Sequence, residues 1–229
     1  MNLLIKNKLL LFALKTNLKM LMNSFFNKIP DIPDIPMLSE YTFDSIIDLP
    51  ENIHIHDFRT KNNFQNNKHS FSIGKYNEKR YNMYKGKLFE KSKRFIHMGI
   101  DIGAPIGTIV KSFYDGEIFL FKNNNLKLDY GYTIITKHNF NNQNLYALYG
   151  HLSKSSILNK KIGQKIYSGE TIAYVGKKEE NGGWPPHVHF QLSLVEPKGC
   201  DLPGVVSEKH HKRALKIFPD PRIVLGKIY

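Results

Sequence analysis

Short runs in which apolar and polar residues alternate dominate the middle of this 229-residue chain. Between residues 95 and 195, runs of β-branched and aromatic residues are separated by glycine, and no segment keeps a helical period. In the last run, Val188 and Phe190 alternate with His189 and Gln191, the two-residue period of a half-buried strand. The pattern predicts a mainly antiparallel β fold with little helix. The predicted strands are Gly107–Phe113, Gly116–Phe121, Tyr132–Lys137, Leu145–Tyr149, Thr171–Val175 and Val188–Leu194.

Turn-forming residues predict how these strands connect. The pair Asp115-Gly116 lies between the first two runs and predicts a tight hairpin. The polar stretch Asn139–Asn144 predicts a loop, and the Asn- and Lys-rich stretches Asn123–Asn125 and Lys61–Lys68 predict exposed loops. We therefore expect a sheet whose polar connections lie at the surface.

The flanking parts of the chain have a different composition. Proline at every third position of Ile29–Pro36 excludes a helix there and favours an extended strap or linker. Near the C-terminus, Lys209–Arg213 predicts a short exposed helix, and its adjacent His210 and His211 cannot share one helix face, which argues against a metal role. The predicted parts are an apolar leader with a proline-rich linker at 1–46, an N-terminal extension at 47–94, a domain at 95–195 and a C-terminal extension at 196–229.

The first 22 residues permit two interpretations. Lysines at positions 6 and 8 precede the apolar run Leu9–Leu14. This run is short for a signal-peptide core, for which roughly 7–15 apolar residues are expected, and for a membrane span of roughly 20. The leader is therefore either a helix that packs on the domain or lies on a membrane surface, or an atypical export signal.

The net charge of +13 raises the question of nucleic-acid binding. The basic residues are spread along the chain, and no helix-turn-helix, zinc-finger or RNA-binding-sheet pattern accompanies them. We therefore expect no nucleic-acid partner, and interpret the charge as a solvated surface or as attraction to an anionic polymer such as the bacterial wall. The one cysteine, Cys200, excludes an intramolecular disulfide and a cysteine-based zinc site.

Three histidine-containing motifs carry the candidate chemistry. His97 and Asp101, four residues apart beside a glycine, offer an imidazole nitrogen and a carboxylate oxygen, which are both ligands of Zn²⁺. His187 and His189 lie two apart on one predicted strand and project from the same face. The segment Tyr149–His151 ends an apolar strand, where site residues often lie. Each motif alone is weak, because a surface or structural role is its simpler interpretation.

Together and in this order, the motifs resemble the LytM/lysostaphin-type zinc metallopeptidases of peptidase family M23. The pattern of that family is His-x-x-x-Asp, a His-Leu after a strand, and His-x-His-Phe. This chain has His97 and Asp101, then His151-Leu152, then His187–Phe190. The glycine-containing flank Gly99–Pro105 agrees as well, and the resemblance covers about 100 residues.

The resemblance implies an antiparallel sheet with an open groove on a lipoyl- or barrel-sandwich-like β core. It also implies that His97, Asp101 and His189 hold one Zn²⁺ per chain with an open position for water. His151 and His187 would be catalytic without binding the metal. Either of them could accept the proton of water, donate one to the leaving amine or stabilise the oxyanion.

The loop before the histidine pair differs from that of many relatives. Residues 181–186 are Asn-Gly-Gly-Trp-Pro-Pro, where those relatives have a Ser/Thr/Gly-rich stretch. We expect Trp184 to line the substrate groove, with packing of the loop as the alternative, and Tyr149 to contact the substrate. A subset of the family shares this loop together with Pro203–Val205 and Pro219–Pro221, and that subset is less clearly tied to the cell wall.

The implied function is zinc-dependent endopeptidase hydrolysis of stem or cross-bridge peptides of bacterial peptidoglycan, in the cell envelope. Two alternatives stay open. The chain could be a metallohydrolase for another peptide-like substrate, including one in the cytoplasm, or a non-catalytic activator or binding module. The presence of all five site residues argues against the binding module, whereas the leader and the loop leave the intracellular substrate open.

Overall fold

Strands make up most of the regular structure in the computed structural model of this chain, which describes residues 25–27, 29, 31–60, 70–81, 83–84 and 93–229. The strands are β1 (His54–Ile55), β2 (Ser72–Gly74), β3 (Arg94–His97), β4 (Ile100–Gly103), β5 (Ile109–Lys111), β6 (Gly116–Asn124), β7 (Gly131–Phe140), β8 (Gln143–Leu152), β9 (Lys165–Ile166), β10 (Thr171–Tyr174), β11 (His187–Ser193) and β12 (Val205–Ser207). The helical elements with both ends described are a 3₁₀ turn at Lys154–Ile157 and the helices α1 (Glu208–Ile217) and α2 (Arg222–Leu225). The predicted leader and the lysine-rich stretch at 61–68 lie outside the described residues, and the four predicted parts of the chain stay predictions.

One eight-stranded sheet carries the candidate site. Its strand order is β1-β2-β4-β11-β8-β7-β6-β9, and every neighbouring pair is antiparallel except β1 and β2. Two smaller sheets pair β10 with β5 and β12 with β3. The prediction of a mainly antiparallel β fold is confirmed, and the runs predicted at 132–137 and 145–149 lie within β7 and β8.

A tight hairpin joins β7 and β8. Asn141 and Asn142 both have positive φ, 48° and 66°, as the central residues of a type I′ turn do, and asparagine tolerates this conformation better than most residues. The loop predicted over residues 139–144 is therefore wrong, since Asn139 and Asn144 are paired across the two strands. Their side chains hydrogen-bond at 3.0 Å, which satisfies polar groups that would otherwise favour a loop.

The hairpin predicted at Asp115-Gly116 is also wrong, because the strands on its two sides lie in different sheets. β5 pairs with β10, whereas β6 pairs with β7 and β9. Neither residue has the positive φ that a type I′ turn needs. Gly116 instead permits a close approach, since a Cβ at this position would lie 2.5 Å from the carbonyl oxygen of Lys137 and 2.7 Å from Nδ1 of His138.

Both faces of the large sheet are covered by apolar side chains. Val188 and Phe190 of β11 belong to one buried cluster. Leu148, the cross-strand partner of Gln191 on the other face, belongs to a second cluster that includes Leu202 from the segment after β11. All seven residues of β11 are consequently buried. The prediction that this strand is half-buried is wrong, because the C-terminal segment covers its polar face.

The asparagine-rich stretch at 123–125 is exposed at Asn123 and Asn125, as predicted, but only Asn125 lies in a loop. Asn123 and Asn124 end β6, and Asn124 is buried. The side-chain amide of Asn124 donates to Thr133 Oγ1 at 3.1 Å and to the carbonyl oxygen of Cys200 at 2.8 Å. These bonds satisfy the buried amide, so a polar residue can end the strand inside the protein.

Helix α1 confirms the helix predicted at 209–213 and extends it to Ile217. Ala214 and Ile217 are buried, so α1 is amphipathic rather than wholly exposed. The described residues of the proline-rich segment, 29 and 31–36, are not helical, as predicted, and Ile29 and Pro36 are buried. None of the helices in the described ranges is long and apolar enough to span a bilayer.

Candidate metal centre and active site

The pairing of β4, β11 and β8 brings the candidate residues together on one face of the sheet. Asp101 and His189 are cross-strand partners, and so are His189 and Gly150. Such partners point to the same face, so Asp101 and His189 project together. His97 ends β3 four residues before Asp101, and His187 lies two residues before His189 on the same face of β11. The motifs found in the sequence thus meet in space.

Three donor atoms converge on one point. His97 Nε2, Asp101 Oδ1 and His189 Nδ1 lie 3.0 to 3.1 Å from one another, and all three residues are buried. In a tetrahedral zinc site with bonds of roughly 2.0–2.1 Å, neighbouring donor atoms are about 3.3 Å apart. The triangle therefore fits three corners of such a site, and imidazole nitrogen and carboxylate oxygen are donors that zinc accepts.

The second ring nitrogen of each donor histidine is held by a hydrogen bond. Nδ1 of His97 donates to the carbonyl oxygen of Lys75 at 2.9 Å, and Nε2 of His189 donates to Oε1 of Gln191 at 3.0 Å. In these tautomers His97 Nε2 and His189 Nδ1 direct lone pairs towards the centre. Histidine ligands of metals are commonly oriented in this way.

The charge states of the donors also suit a cation. Burial, together with the positive charge of Arg80, lowers the pKa of His97 to about 4. Burial alone would raise the pKa of Asp101, but electrostatic attraction to His97 and Arg80 outweighs burial and holds this pKa well below its usual range. At neutral pH the centre therefore presents a neutral His97 and an ionised Asp101, the forms that bind metals.

His151 and His187 lie beside the donor triangle, with ring centroids 4.2 Å apart. Nδ1 of His151 donates to the carbonyl oxygen of Asn181 at 2.8 Å, and Nδ1 of His187 donates to that of Pro185 at 2.7 Å. Nε2 of each ring is then a proton acceptor. Burial lowers the pKa of both imidazoles, and the neighbouring His187 lowers that of His151 further, so both are neutral at pH 7.

The backbone of His151 has a left-handed conformation, with φ of 64°. This conformation is uncommon for a residue other than glycine. Its N–H donates to the carbonyl oxygen of Tyr130 at 2.7 Å, and its own carbonyl oxygen accepts from Gly176 at 3.0 Å. Residues held in such conformations cluster at functional sites, so this backbone supports a role of His151 beyond packing.

A cavity of about 390 Å³ opens onto the donor triangle and the two further histidines. Its walls include the aromatic rings of Tyr84, Tyr130 and Trp184. The Trp184 ring is half-buried, and its centroid lies 6.1 Å from that of Tyr84 and 6.3 Å from that of His151. Trp184 thus lines the cavity, and its contact with a substrate stays a prediction.

Asn181 shapes the loop that carries Trp184. Its buried side chain accepts hydrogen bonds from the backbone N–H groups of Gly183 at 3.1 Å and Trp184 at 3.0 Å. Gly182 and Gly183 have φ of 84° and 93°, and a Cβ on Gly182 would lie 2.0 Å from the carbonyl oxygen of Asp129. Both glycines are therefore required by the backbone, and one loop positions Trp184 while its Asn181 carbonyl orients His151.

The predicted substrate contact of Tyr149 is contradicted by the structure. Tyr149 is fully buried in the core, with its ring centroid 5.1 Å from that of Phe190. Gly150 is the cross-strand partner of His189, so the adjacent Tyr149 points to the opposite face of the sheet. Its aromatic ring contributes to the core that supports the site.

Three residues that contact the donors are not indicated by the motifs. Arg80 Nη1 donates to Asp101 Oδ2 at 2.7 Å, Gln191 accepts from His189, and the Tyr130 ring lies 5.2 Å from that of His189. Gln191 could have been found from its position two residues after His189 on one strand face. Arg80 and Tyr130 lie in segments without periodicity, so the sequence gives no signal for them.

Cys200 and the two histidines of helix α1 have structural rather than catalytic surroundings. Burial raises the pKa of the Cys200 thiol to about 12, which disfavours the thiolate that a nucleophile needs. The His210 ring stacks on Phe26 with centroids 4.8 Å apart, and His211 Nε2 lies 2.6 Å from Asn77 Oδ1. These contacts account for the two histidines as structural residues.

The model of peptidase family M23 matches residues 95–199. The matched region contains both halves of the site: the three donor residues and the two histidines beside them. The match confirms the resemblance inferred from the motifs and their order.

Individual relatives match parts of this chain. DD-carboxypeptidase/endopeptidase Mpg of Neisseria meningitidis is 34% identical over 112 residues, which is 47% of this chain and 23% of that protein. The catalytic domain of the antimicrobial peptidase lysostaphin from Staphylococcus simulans is 28% identical, with 48% of this chain and 77% of that domain covered and a TM-score of 0.37. A zinc-containing peptidase from Vibrio cholerae is 29% identical, with 43% and 27% covered and a TM-score of 0.36. This chain thus spans about a quarter of the length of its curated relative Mpg.

Proposed function

Because residues 95–199 belong to peptidase family M23, we propose that this chain is a zinc-dependent endopeptidase that hydrolyses peptide bonds of bacterial peptidoglycan. The observation that carries the proposal is the triangle of buried donor atoms from His97, Asp101 and His189. Two neutral histidines lie beside this triangle in the same cavity. A metal-assisted hydrolase needs a metal centre and proton-transfer groups next to each other, and this cavity provides both kinds of residue.

The donor set suits a catalytic rather than a structural zinc site. Three protein donors leave the fourth tetrahedral position open, whereas structural sites use four protein ligands. When bound, the ion lowers the pKa of water to roughly 7 and polarises a scissile carbonyl group. Imidazole and carboxylate also accept other divalent ions, so zinc is proposed from the type of donor and from its tetrahedral spacing.

His151 and His187 are proposed to move the protons. Each ring is buried and fixed by a backbone carbonyl, with Nε2 as the acceptor. One Nε2 can accept the proton of the attacking water and then deliver it to the leaving amine. A protonated Nε2–H can also stabilise negative charge on the former carbonyl oxygen. Proton transfer of this kind typically contributes roughly 10²–10⁴-fold to the rate.

The cavity is proposed to bind a peptide side chain. Its walls include Leu126, Leu202, Tyr130 and Trp184, which offer apolar surface next to the polar centre. Its volume of about 390 Å³ lies within the range of roughly 300–1,000 Å³ that is usual for ligand pockets. A bound peptide would exclude water from this space, which strengthens every electrostatic interaction with the reacting bond.

Peptidoglycan is proposed as the substrate because of the relative Mpg, a DD-carboxypeptidase/endopeptidase by name. If this chain shares that activity, its substrates are wall peptides that contain D-amino acids. The net charge of +13 would also attract the protein to an anionic wall. The protein would then act in the cell envelope, with its leader serving either for export or for attachment to a membrane surface.

Digestion of purified peptidoglycan sacculi tests the proposal. Wild-type protein loaded with zinc should release peptide fragments, whose masses identify the bond that is cut. His151→Ala and His187→Ala should each keep their zinc and lose roughly 10²–10⁴-fold in rate. His211→Ala, which changes a histidine on α1 with a contact to Asn77, is the matched control and should cleave like the wild type.

Other outcomes would redirect the proposal. Zinc-loaded protein that cleaves linear synthetic peptides but no wall type would remain a metallopeptidase with a different substrate. Cell fractionation would then show whether that substrate is in the cytoplasm. Stoichiometric zinc without cleavage of either kind of substrate would favour the binding module, and a wild type without metal would contradict the proposal.

A further inference from the structure

We infer that Arg80, in the segment before the family-matched region, is a positioning residue of the metal centre. The inference rests on the proposed function, because it concerns how the metal-binding residues are held. Arg80 lies outside residues 95–199, and its side chain is 0% exposed. Burying a charge is costly unless it is paired and hydrogen-bonded, so the partners of this guanidinium indicate why it is there.

The guanidinium of Arg80 joins two carboxylates. Its Nε donates to Glu78 Oε2 at 2.9 Å, and its Nη1 donates to Asp101 Oδ2 at 2.7 Å. Glu78 is itself fixed, because its Oε1 accepts the backbone N–H of Phe58 at 2.9 Å. The Phe58 ring lies under the guanidinium, with 4.7 Å between its centroid and the central carbon. The group that holds Asp101 therefore has a fixed position of its own.

The bond to Oδ2 limits how Asp101 can bind a metal ion. Oδ1 is the oxygen near the donor histidines, 3.1 Å from His97 Nε2 and 3.0 Å from His189 Nδ1. While Oδ2 is bonded to Arg80, the carboxylate cannot rotate to present both oxygens to the same ion. Arg80 thereby enforces binding through one oxygen and keeps the fourth position of the site open. A released Asp101 could bind through both oxygens and occupy that position.

The segment that contains Arg80 also positions a second metal donor, His97. The carbonyl oxygen of Lys75 accepts from His97 Nδ1 at 2.9 Å and from Arg80 Nη2 at 3.4 Å. One carbonyl therefore connects Arg80 to His97 as well as to Asp101. Gly74, the cross-strand partner of Asp101, leaves the required space, since a Cβ there would lie 2.7 Å from Arg80 Nη2.

The charges explain why two carboxylates share one arginine. Arg80 carries one positive charge, and Glu78 and Asp101 each carry a negative charge, so the buried group keeps one net negative charge for a cation. Without Glu78, the arginine would cancel the charge of Asp101 and weaken its attraction for a metal. Glu78 therefore allows Arg80 to orient Asp101 while the centre stays negative.

Zinc affinity of the full chain, measured by competition with a coloured chelator, tests the inference. Arg80→Lys keeps the charge but cannot bond to Glu78, Asp101 and the Lys75 carbonyl together, so we expect zinc affinity to fall about 10–100-fold. The double variant Glu78→Gln/Arg80→Gln keeps one net negative charge in this group, now on Asp101 alone, but removes the guanidinium bond to Oδ2, so it should lose as much affinity. Ile118→Ala, in the core of β6 and away from the cavity, is the stability control and should lower the melting temperature without changing zinc affinity.

Replacement of zinc by Co²⁺ supplies a readout that folding stability does not change. Wild-type protein should show the intense visible absorption of a four-coordinate cobalt site. Arg80→Lys should show weaker absorption, because a carboxylate that binds through two oxygens raises the coordination number.

Two results would overturn the inference, and they are distinguishable. If both Arg80 variants bind zinc like the wild type, with an unchanged cobalt spectrum and a lower melting temperature, Arg80 has only a structural role and the proposed function stands. A wild type that binds no metal would overturn the inference and the proposed function together.

Discussion

The two faces of strand β11 are both buried, but they differ in chemistry. Val188 and Phe190 pack into an apolar cluster, whereas His187 and His189 face the cavity. Burial of the apolar face is favourable in itself, at roughly 25 cal/mol per Å². Burial of the polar face is tolerable only because its atoms are hydrogen-bonded, as His189 is to Gln191 at 3.0 Å. Substitutions at alternate positions of one strand should therefore separate stability from activity.

Replacement of His189 by alanine should have the largest effect on activity. It removes one of three donors, so zinc content should fall from one ion per chain towards zero. Peptide cleavage should fall by about 10³-fold or more, since a catalytic metal supplies several kcal/mol of transition-state stabilisation. Metal analysis and fragment release measure both effects. Wild-type metal content in this variant would contradict the position given to His189.

Replacement of Phe190 by alanine, one residue further along the strand, should have the opposite consequence. Phe190 is fully buried, so the free energy of unfolding should fall by about 3–5 kcal/mol in a denaturant titration. The molecules that remain folded should bind one zinc ion with wild-type affinity. Weaker zinc binding by the folded fraction would show that the two faces are not separable.

A smaller effect is expected at Gln191, which supports His189 without belonging to the donor triangle. Gln191→Met keeps the volume but removes the acceptor of His189 Nε2–H, so zinc affinity should fall roughly 10–100-fold. Ser193→Ala is the matched control, because Ser193 lies on the same face and its hydroxyl donates to the Val195 carbonyl at 2.7 Å. Equal zinc affinities in the two variants would argue against the supporting role of Gln191.

The pH dependence of the unfolding free energy of the metal-free protein should also distinguish the two faces of β11. Burial lowers the pKa of His187, and it lowers that of His97 from the ordinary 6.5 to about 4. The unfolded chain thus binds protons on these histidines at a higher pH than the folded chain does. Their contribution to stability is present above pH 6.5 and is lost as the pH falls from 6.5 towards 4.

His187→Gln should therefore reduce the slope of unfolding free energy against pH in this window. Phe190→Ala should lower the whole curve and leave its slope unchanged, because a phenyl ring binds no protons. Denaturant titrations across the window measure both. A slope that is the same in His187→Gln and in the wild type would contradict the buried, neutral state assigned to this imidazole.

The site could be predicted from the sequence because its signals are local. His97 ends β3 and Asp101 lies four residues later in β4, so only a short turn separates them. His187 and His189 share a face of one strand. Pairing between strands depends on distant partners. The hairpin expected at Asp115-Gly116 was wrong because β5 and β6 pair with other strands, and local turn chemistry contains no information on that choice.

Burial on the polar face of β11 and the contacts of Arg80 depend on segments far along the chain. The alternation in β11 predicts one exposed face, but the segment after β11 covers it. Arg80 reaches Asp101 from a stretch without a repeating pattern, and its burial depends on Glu78 and Phe58. Tertiary contacts of this kind produce no periodic pattern in the sequence, so the sequence does not predict them.

Zinc-dependent release of wall peptides tests the central claim most directly. Chelator-treated protein would be titrated with zinc and incubated with purified sacculi, and the fragments would be quantified by mass spectrometry. We predict no fragments without metal and a rate that rises in proportion to bound zinc until one ion per chain is reached. Fragment release that is independent of zinc, or none at one bound ion per chain, would contradict the claim that this centre cleaves peptidoglycan.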